Sequence, residues 1–175
     1  MKLHLGSGAK ILPGFVNVDA RPFNGAIIDD VESLFSFESN SIDLIYACHV
    51  LEHIHRHKRS SALVRWCEIL KPHAVLRVAV PDFAEVVHMY QEGVPLDDLM
   101  GFLYGGQDYD LNFHYYCWDF QSLEKDLKRA GFSSVARYDW RETEHADVDD
   151  YSQAYWPHME KETGRLMSLN VEATK

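Results

Sequence analysis

With 175 residues, 46% of them hydrophobic and 13% aromatic, the chain can bury one packed core and is too apolar for a disordered protein. Its net charge of −10 would repel a phosphate backbone, which argues against nucleic acid and anionic membrane as partners. The three scattered cysteines Cys48, Cys67 and Cys117 make no disulfide frame or metal-binding pair, and no apolar run reaches the ~20 residues of a membrane span. Met1-Lys2 leads straight into strand sequence, without a signal-peptide pattern, so a cytoplasmic protein is expected. No repeat or linker divides residues 1–175, which read as a single domain.

Short apolar runs alternating with helical patterns predict an α/β fold. Its expected form is a Rossmann-like, doubly wound, mostly parallel sheet of about seven strands, with an antiparallel edge pair and helices on both faces. Lys2–Leu5, Val16–Asp19 and Ala26–Ile28 are the first strands, and the near-continuous apolar run from Ile42 to Ala47 is a buried central one. Ala62, Leu63, Trp66, Ile69 and Leu70 recur at helical spacing, with Ser60 or Ser61 as cap and Lys71-Pro72 as the stop. Ala74–Val80 is the next strand, and Asp82 caps a helix through Val86, Val87 and Tyr90. The glycine- and aromatic-rich stretch from Gly93 to Trp118 reads as irregular. A clear amphipathic helix follows, with Asp119 as cap and Gly131 as terminator. Ser133–Tyr138 and Met167–Thr174 are the antiparallel pair, and Arg141–Arg165 between them is a polar, aromatic surface excursion.

The chemistry begins in the first twenty residues. Leu3-His4-Leu5 runs into Gly6-Ser7-Gly8, and the second strand ends in the carboxylate of Asp19. Glycines let a ligand approach the backbone, and an acid at the tip of the second strand can accept from ribose hydroxyls. The same residues could equally be a tight turn with a capping aspartate.

Four further blocks continue this pattern in order: Asp30 before Leu34-Phe35, Ser41-Ile42-Asp43-Leu44-Ile45, His49-Val50-Leu51-Glu52-His53, and Leu70-Lys71-Pro72-His73-Ala74. With Ala130-Gly131-Phe132 and Leu169-Asn170-Val171-Glu172-Ala173, the whole chain resembles the small class I S-adenosylmethionine-dependent methyltransferases. The nearest competitor, an NAD-dependent oxidoreductase, would need a third glycine where Ile11 stands and an acid roughly 20 residues beyond the glycines.

The resemblance implies S-adenosylmethionine as cofactor, with Leu5, Gly6, Ser7 and Gly8 around its methionine and ribose part and Asp19-Ala20 at the ribose hydroxyls. Asp30 and Val31 would flank the adenine, with Asp29 a rival for Asp30, while Cys48 and His49 would line the methionine end. Two positions depart from the family: His4 stands where an acid is usual, and Lys10 where the fuller motif has a third glycine. The implied reaction is methyl transfer to an oxygen or nitrogen of a small-molecule or saccharide-like acceptor. Neither the Asn/Asp-Pro-Pro-aromatic turn of amide-nitrogen enzymes nor a Pro-Cys nucleophile is present. A non-catalytic cofactor-binding partner or regulatory subunit is the alternative.

His53 and His114 are the candidate bases, and His114, Tyr115 and Trp118 the candidate acceptor-lining residues, from the cluster Asn112–Trp118. Some relatives carry Glu-x-x-Glu-His where this chain has His49-x-x-Glu52-His53, and hold a divalent metal there. The His49, Glu52, His53 set, followed by His55 and His57, is thus an alternative metal site, although imidazole and carboxylate bonding to nearby backbone is preferred and no metal is expected. Many relatives also have an N-terminal helix that is missing here, which leaves the far wall of the cleft to residues 101–118 or to a second subunit of a homodimer. Trp140, Tyr151, Tyr155 and Trp156 read equally as a lid or a partner surface.

Overall fold

The computed structural model describes residues 1–175. Strands β1 (Lys2–Leu5), β2 (Val16–Asp19), β3 (Ala26–Ile28) and β4 (Ile42–Cys48) are followed by helix α1 (Arg59–Ile69) and strand β5 (Leu70–Pro81). Helices α2 (Phe83–Gln91), α3 (Leu96–Tyr104) and α4 (Phe120–Arg129) lead to β6 (Ser134–Arg137). A two-residue hairpin, β7 (Tyr155–Trp156) with β8 (Arg165–Leu166), precedes the last strand β9 (Ser168–Thr174). The main sheet has seven strands in the order β3-β2-β1-β4-β5-β9-β6; β9 alone runs antiparallel, between β5 and β6.

Strand alternation splits the sheet into two unlike faces. Leu3, Leu5, Val18, Ile45, Ala47, Leu76, Val78, Val80, Leu169 and Val171 join one core with Ala62, Leu63 and Trp66 of α1 and Leu123 and Leu127 of α4. Trp66 is fully buried there, and its indole N–H donates to the Val31 carbonyl at 2.7 Å. The residues between them (His4, Asn17, Tyr46, Arg77, Asn170 and Glu172) are mostly polar and need partners.

Helices were expected on that face too, but the β1–β2 and β2–β3 connections, residues 6–15 and 20–25, contain none. They are too short for the usual helical crossover. Residues 139–154 cover the polar face in their place. His145 stacks on Tyr46 with ring centroids 3.9 Å apart, and Tyr46 stacks in turn on His4 at 5.4 Å. The Tyr46 hydroxyl donates to Asp150 Oδ2 at 2.7 Å, and Asn170 Nδ2 donates to the Ser152 carbonyl at 2.8 Å. Glu144 bridges Lys2 and Arg77, and Gln153 Nε2 staples the excursion internally through the Ala146 and Val148 carbonyls.

Three local expectations are corrected. The stretch 93–118 is not wholly irregular: Leu96, Leu99 and Phe102-Leu103 recur at helical spacing, Asp97 and Asp98 favour the first turn, and α3 forms until Gly105 ends it at φ +76°. Helix α1 starts at Arg59, so Ser60 and Ser61 lie inside its first turn rather than at its cap. Strand β5 begins at Leu70 and runs through Lys71-Pro72, with His73 at φ +65° near the point where its register against β4 shifts. The caps at Asp82 and Asp119 form as expected, the latter as a reciprocal box with Ser122.

The Glu144 bridge gives the excursion a pH signature. Burial works against its charge, but bonds from Lys2 and Arg77 outweigh it and hold the carboxyl at about 2, below an ordinary 4.5. A depressed folded-state value means stability present above about 4.5 and lost as pH falls toward about 2. Glu144→Gln is therefore expected to destabilise the protein modestly at pH 7, by under ~1 kcal/mol because the group is partly exposed, and to lower its melting temperature accordingly. Melts of both proteins from pH 7 to 2 should converge as the pH falls, and a gap that persists at pH 2 would contradict the assignment.

Candidate functional site

A cleft of about 790 Å³ opens at the C-terminal ends of β1 and β4. In open α/β sheets this end of the strands, where the order reverses, is where ligands bind. The size lies within the range of sites that enclose a cofactor-sized ligand.

The near wall is the Gly6-Ser7-Gly8 turn with Lys10 and Arg21. Gly6 and Gly8 both take left-handed backbone, at φ +62° and +52°. Their surroundings differ. A Cβ on Gly6 would lie 2.3 Å from Val50 Cγ2, whereas a Cβ on Gly8 would meet nothing within 4 Å. Gly6 is thus required by packing, and Gly8 leaves bare backbone facing open space.

Asp19 stands behind this turn. Its Oδ2 accepts from the Gly8 N–H at 2.8 Å and its Oδ1 from the Arg21 N–H at 2.8 Å. The carboxylate is buried and fixes the turn from below; it is not among the residues lining the cleft. Arg21 does line it, with its guanidinium 4.4 Å from the centroid of the Tyr109 ring.

Cys48 and His49 form the floor where β4 ends. Burial pushes the Cys48 thiol well above its ordinary range, so it sits there as a neutral thiol. His49 takes φ +51°, and its ring places Nδ1 3.1 Å from Glu52 Oε1 and Nε2 3.3 Å from Ser168 Oγ. Glu52 is fully buried: burial disfavours its charge, and the His49, His53 and His114 imidazoles outweigh that and hold the carboxyl below its usual range.

His53 and His114, sixty-one positions apart in sequence, meet at the far side with ring centroids 4.8 Å apart. His53 Nδ1 lies 3.1 Å from the Phe113 carbonyl and His114 Nδ1 3.0 Å from the Phe102 carbonyl. Carbonyls only accept, so both rings carry a proton on Nδ1, and Nε2 is the atom left free of these contacts. Burial pushes the His114 imidazole below its ordinary value, against the pull of Glu52.

The structure separates the expected site residues into two groups. Gly6, Ser7, Gly8, Cys48, His49, His53 and His114 line one cleft. Leu5 is core, Ala20 is exposed outside the cleft, and Asp30 turns its carboxylate to the Glu32 N–H and the Ser33 hydroxyl. Val31 packs against the core, and Asp29 accepts from the backbone of Asp30 and Ser36. Tyr115 and Trp118 are corrections. Tyr115 points outward against His55, and Trp118 is buried in the core with its indole donating to Asp126 Oδ2 at 3.0 Å.

The largest omission is the opposite wall. Asp149, Asp150, Tyr151, Ala154, Tyr155, His158 and Met159 close the cleft from the 141–165 excursion, so this chain supplies its own far wall. Tyr151 and Tyr155 are among the aromatics that read equally as a lid or a partner surface, and nothing in the local pattern fixes where they fold.

A family model described as a methyltransferase domain matches residues 13–78, from the β1–β2 connection to within β5. The solved structure of an S-adenosylmethionine-dependent methyltransferase from Archaeoglobus fulgidus superposes with a TM-score of 0.60 at 14% identity, over 99% of this chain and 85% of its own. The chain has the fold of the S-adenosylmethionine-dependent methyltransferases. A second such structure, an S-adenosylmethionine-dependent methyltransferase from Mesorhizobium loti, gives a TM-score of 0.59 at 15% identity over 99% of this chain and 90% of that one. Phosphoethanolamine N-methyltransferase 2 of Haemonchus contortus, in complex with S-adenosyl-L-methionine, gives 0.52 at 14% identity over 77% and 33%. At such identities the structural likeness establishes the fold. Comparison of the sequence with curated proteins finds no match. No helix is long and apolar enough to cross a membrane.

The two glycines make a sharp test of the near wall. Gly6→Ala combines left-handed strain with overlap on a core valine and should cost about 2–4 kcal/mol. Gly8→Ala meets only the strain, about 1–2 kcal/mol. Urea denaturation should show the larger loss at Gly6, and equal losses would mean that the Val50 contact is misplaced.

Proposed function

We propose that this domain transfers a methyl group from S-adenosylmethionine to an oxygen or nitrogen of a small-molecule or saccharide-like acceptor by in-line displacement. The observation that carries the reading is the bare Gly8 backbone, held open by Asp19, at the topological switch point of a methyltransferase fold. A ligand can approach the chain there without displacing a side chain.

The residues present suit the cofactor. Gly6, Ser7 and Gly8 would flank its ribose and methionine part, and Cys48 and His49 its sulfur end. Asp19 accepts only one N–H at each oxygen, so it retains lone pairs for ribose hydroxyls in addition to its hold on the turn. Asp30 and Val31 lie outside the cleft, and Arg21 with Tyr109 is the better candidate for the adenine, through stacking.

Bound S-adenosylmethionine supplies a sulfonium-activated methyl group. What the protein contributes is alignment, exclusion of water and a place for the acceptor's proton. His53 and His114 tie Nδ1 to backbone carbonyls and keep Nε2 clear of them on the acceptor side, where either ring in its neutral form can take that proton. Phe102 and Tyr155 supply apolar surface to the same cleft.

Calorimetry with S-adenosylmethionine and S-adenosylhomocysteine tests the reading, followed by an acceptor panel of hydroxyl, amine and sugar compounds. One equivalent of each cofactor form should bind, and Gly8→Val should abolish both while the protein stays folded by circular dichroism. Failure of both to bind, or binding of NAD in their place, overturns the proposal. Binding without transfer to any acceptor would identify a regulatory or partner subunit instead.

A further inference from the structure

Helix α3 carries a glycine that packing does not explain. Gly101 lies in the middle of Leu96–Tyr104, where glycine weakens a helix relative to alanine. The nearby Gly105 and Gly106 have a steric reason. A Cβ would lie 2.5 Å from the Asn112 carbonyl oxygen at the first and 2.6 Å from Asn112 Nδ2 at the second. A Cβ on Gly101 would meet nothing within 4 Å. A larger residue would fit there and favour the helix, so the bare backbone serves to keep space open.

That space is a second groove, of about 380 Å³, running along α3. Gly101, Gly105 and Gly106 line both this groove and the main cleft, so the two meet across a border of glycines. The acceptor side of the cleft lies at that border: a Cβ on Gly105 would be 3.0 Å from His114 Cδ2. Met100 and Tyr104 are the side walls of the groove, and Gln107 is its polar end. Leu96, Met100 and Tyr104, four residues apart in succession, form an apolar row on one face of α3 and are 51%, 39% and 51% exposed. Leu99, by contrast, is buried with Val86, Met89 and Met167. Asp97 and Asp98 place two acids in the first turn of the helix.

We propose that the acceptor is amphipathic: its polar head sits beside His53 and His114, and an uncharged apolar chain leaves the cleft over Gly101 to lie between Met100 and Tyr104. Continuity with the acceptor side of the cleft makes the occupant part of the acceptor itself. The walls select an apolar chain, because each methylene removed from water there adds affinity. Asp97 and Asp98 disfavour a chain that ends in an anion, such as a fatty carboxylate. Which end of the ligand enters the cleft rests on the methyl-transfer reading.

Calorimetry on the protein saturated with S-adenosylhomocysteine tests this, with octyl β-glucoside, methyl β-glucoside and 1-octanol as probes below micelle-forming concentrations. Octyl glucoside should bind with one equivalent, at least about tenfold more tightly than methyl glucoside, which lacks the chain, or 1-octanol, which lacks the head. Gly101→Leu should abolish this advantage, leave S-adenosylhomocysteine affinity unchanged and keep or raise the melting temperature. Because that substitution adds apolar surface, non-specific adsorption of the chain would change in the opposite direction. Met100→Glu, at an exposed wall position, should also remove the advantage. Equal affinity for octyl glucoside and either of the other probes, an advantage that survives both substitutions, or a melting temperature lowered by Gly101→Leu overturns the proposal. So does a dimer in sedimentation equilibrium that Gly101→Leu dissociates, since a second copy of the chain would then fill the groove. The same titrations without cofactor separate the two ideas. S-adenosylhomocysteine binding with no preference for the chain sinks only the groove, and a chain preference in a protein that binds no S-adenosylhomocysteine sinks only the methyl-transfer reading.

Discussion

A mostly parallel sheet has to be covered on both faces, and this chain makes helices for only one. The rest of the structure follows from that constraint. On the helical face, α1 and α4 bury an aliphatic core around Trp66, as the strand alternation requires. On the other face, the inward residues of the central strands are polar or aromatic and are satisfied by specific partners: Tyr46 by His145 and Asp150, Arg77 by Glu144 and Glu172, Asn170 by Ser152. Such bonds have direction, whereas apolar burial has little. They place residues 139–154 on the sheet in one register.

That placement is what builds the cleft. The chain leaving the polar face carries Asp150 and Tyr151 over the ends of β1 and β4, and Ala154, Tyr155, His158 and Met159 continue the wall. Lys10, standing where the fuller family motif has a glycine, donates to the Asp149 carbonyl and so joins the glycine turn to this wall. The unusual lysine is accounted for by the excursion it meets. His4, the other departure, is likewise part of the covering: its ring stacks on Tyr46, its Nδ1 lies 3.0 Å from Asn17 Oδ1, and burial pushes its pKa down.

Much of this was legible in the sequence, and the reason differs from element to element. Strands β1, β2 and β3 were readable to the residue because their apolar runs are short and sharply bounded. Asp82 and Asp119 were readable as caps because capping is local chemistry. Helix α3 was hidden by Gly101 and its aromatic neighbours, although Leu96, Leu99 and Phe102 mark its face. Within the candidate site, the residues set by the strand ends (Gly6, Gly8, Cys48 and His49) fall where the pattern put them. Those set by long-range contacts do not. Trp118 looked like a cleft aromatic and is core, because its indole finds Asp126 on α4; Tyr151 and Tyr155 reach the cleft only through bonds made more than a hundred residues away in sequence. Glu52, His53 and His114 share that limit, since no spacing rule joins position 114 to 52 and 53.

The central claim is that the open backbone at Gly8 and the floor at His49 cradle a methyl-donor cofactor with its sulfur directed at the acceptor side. A crystal structure of the protein soaked with S-adenosylhomocysteine tests this most directly. The account predicts the ribose against Gly6–Gly8, the sulfur beside Cys48 and His49, and empty space ahead of it bounded by His53 and His114. Density for the ligand outside this cleft, or a sulfur turned away from those two histidines, would contradict it.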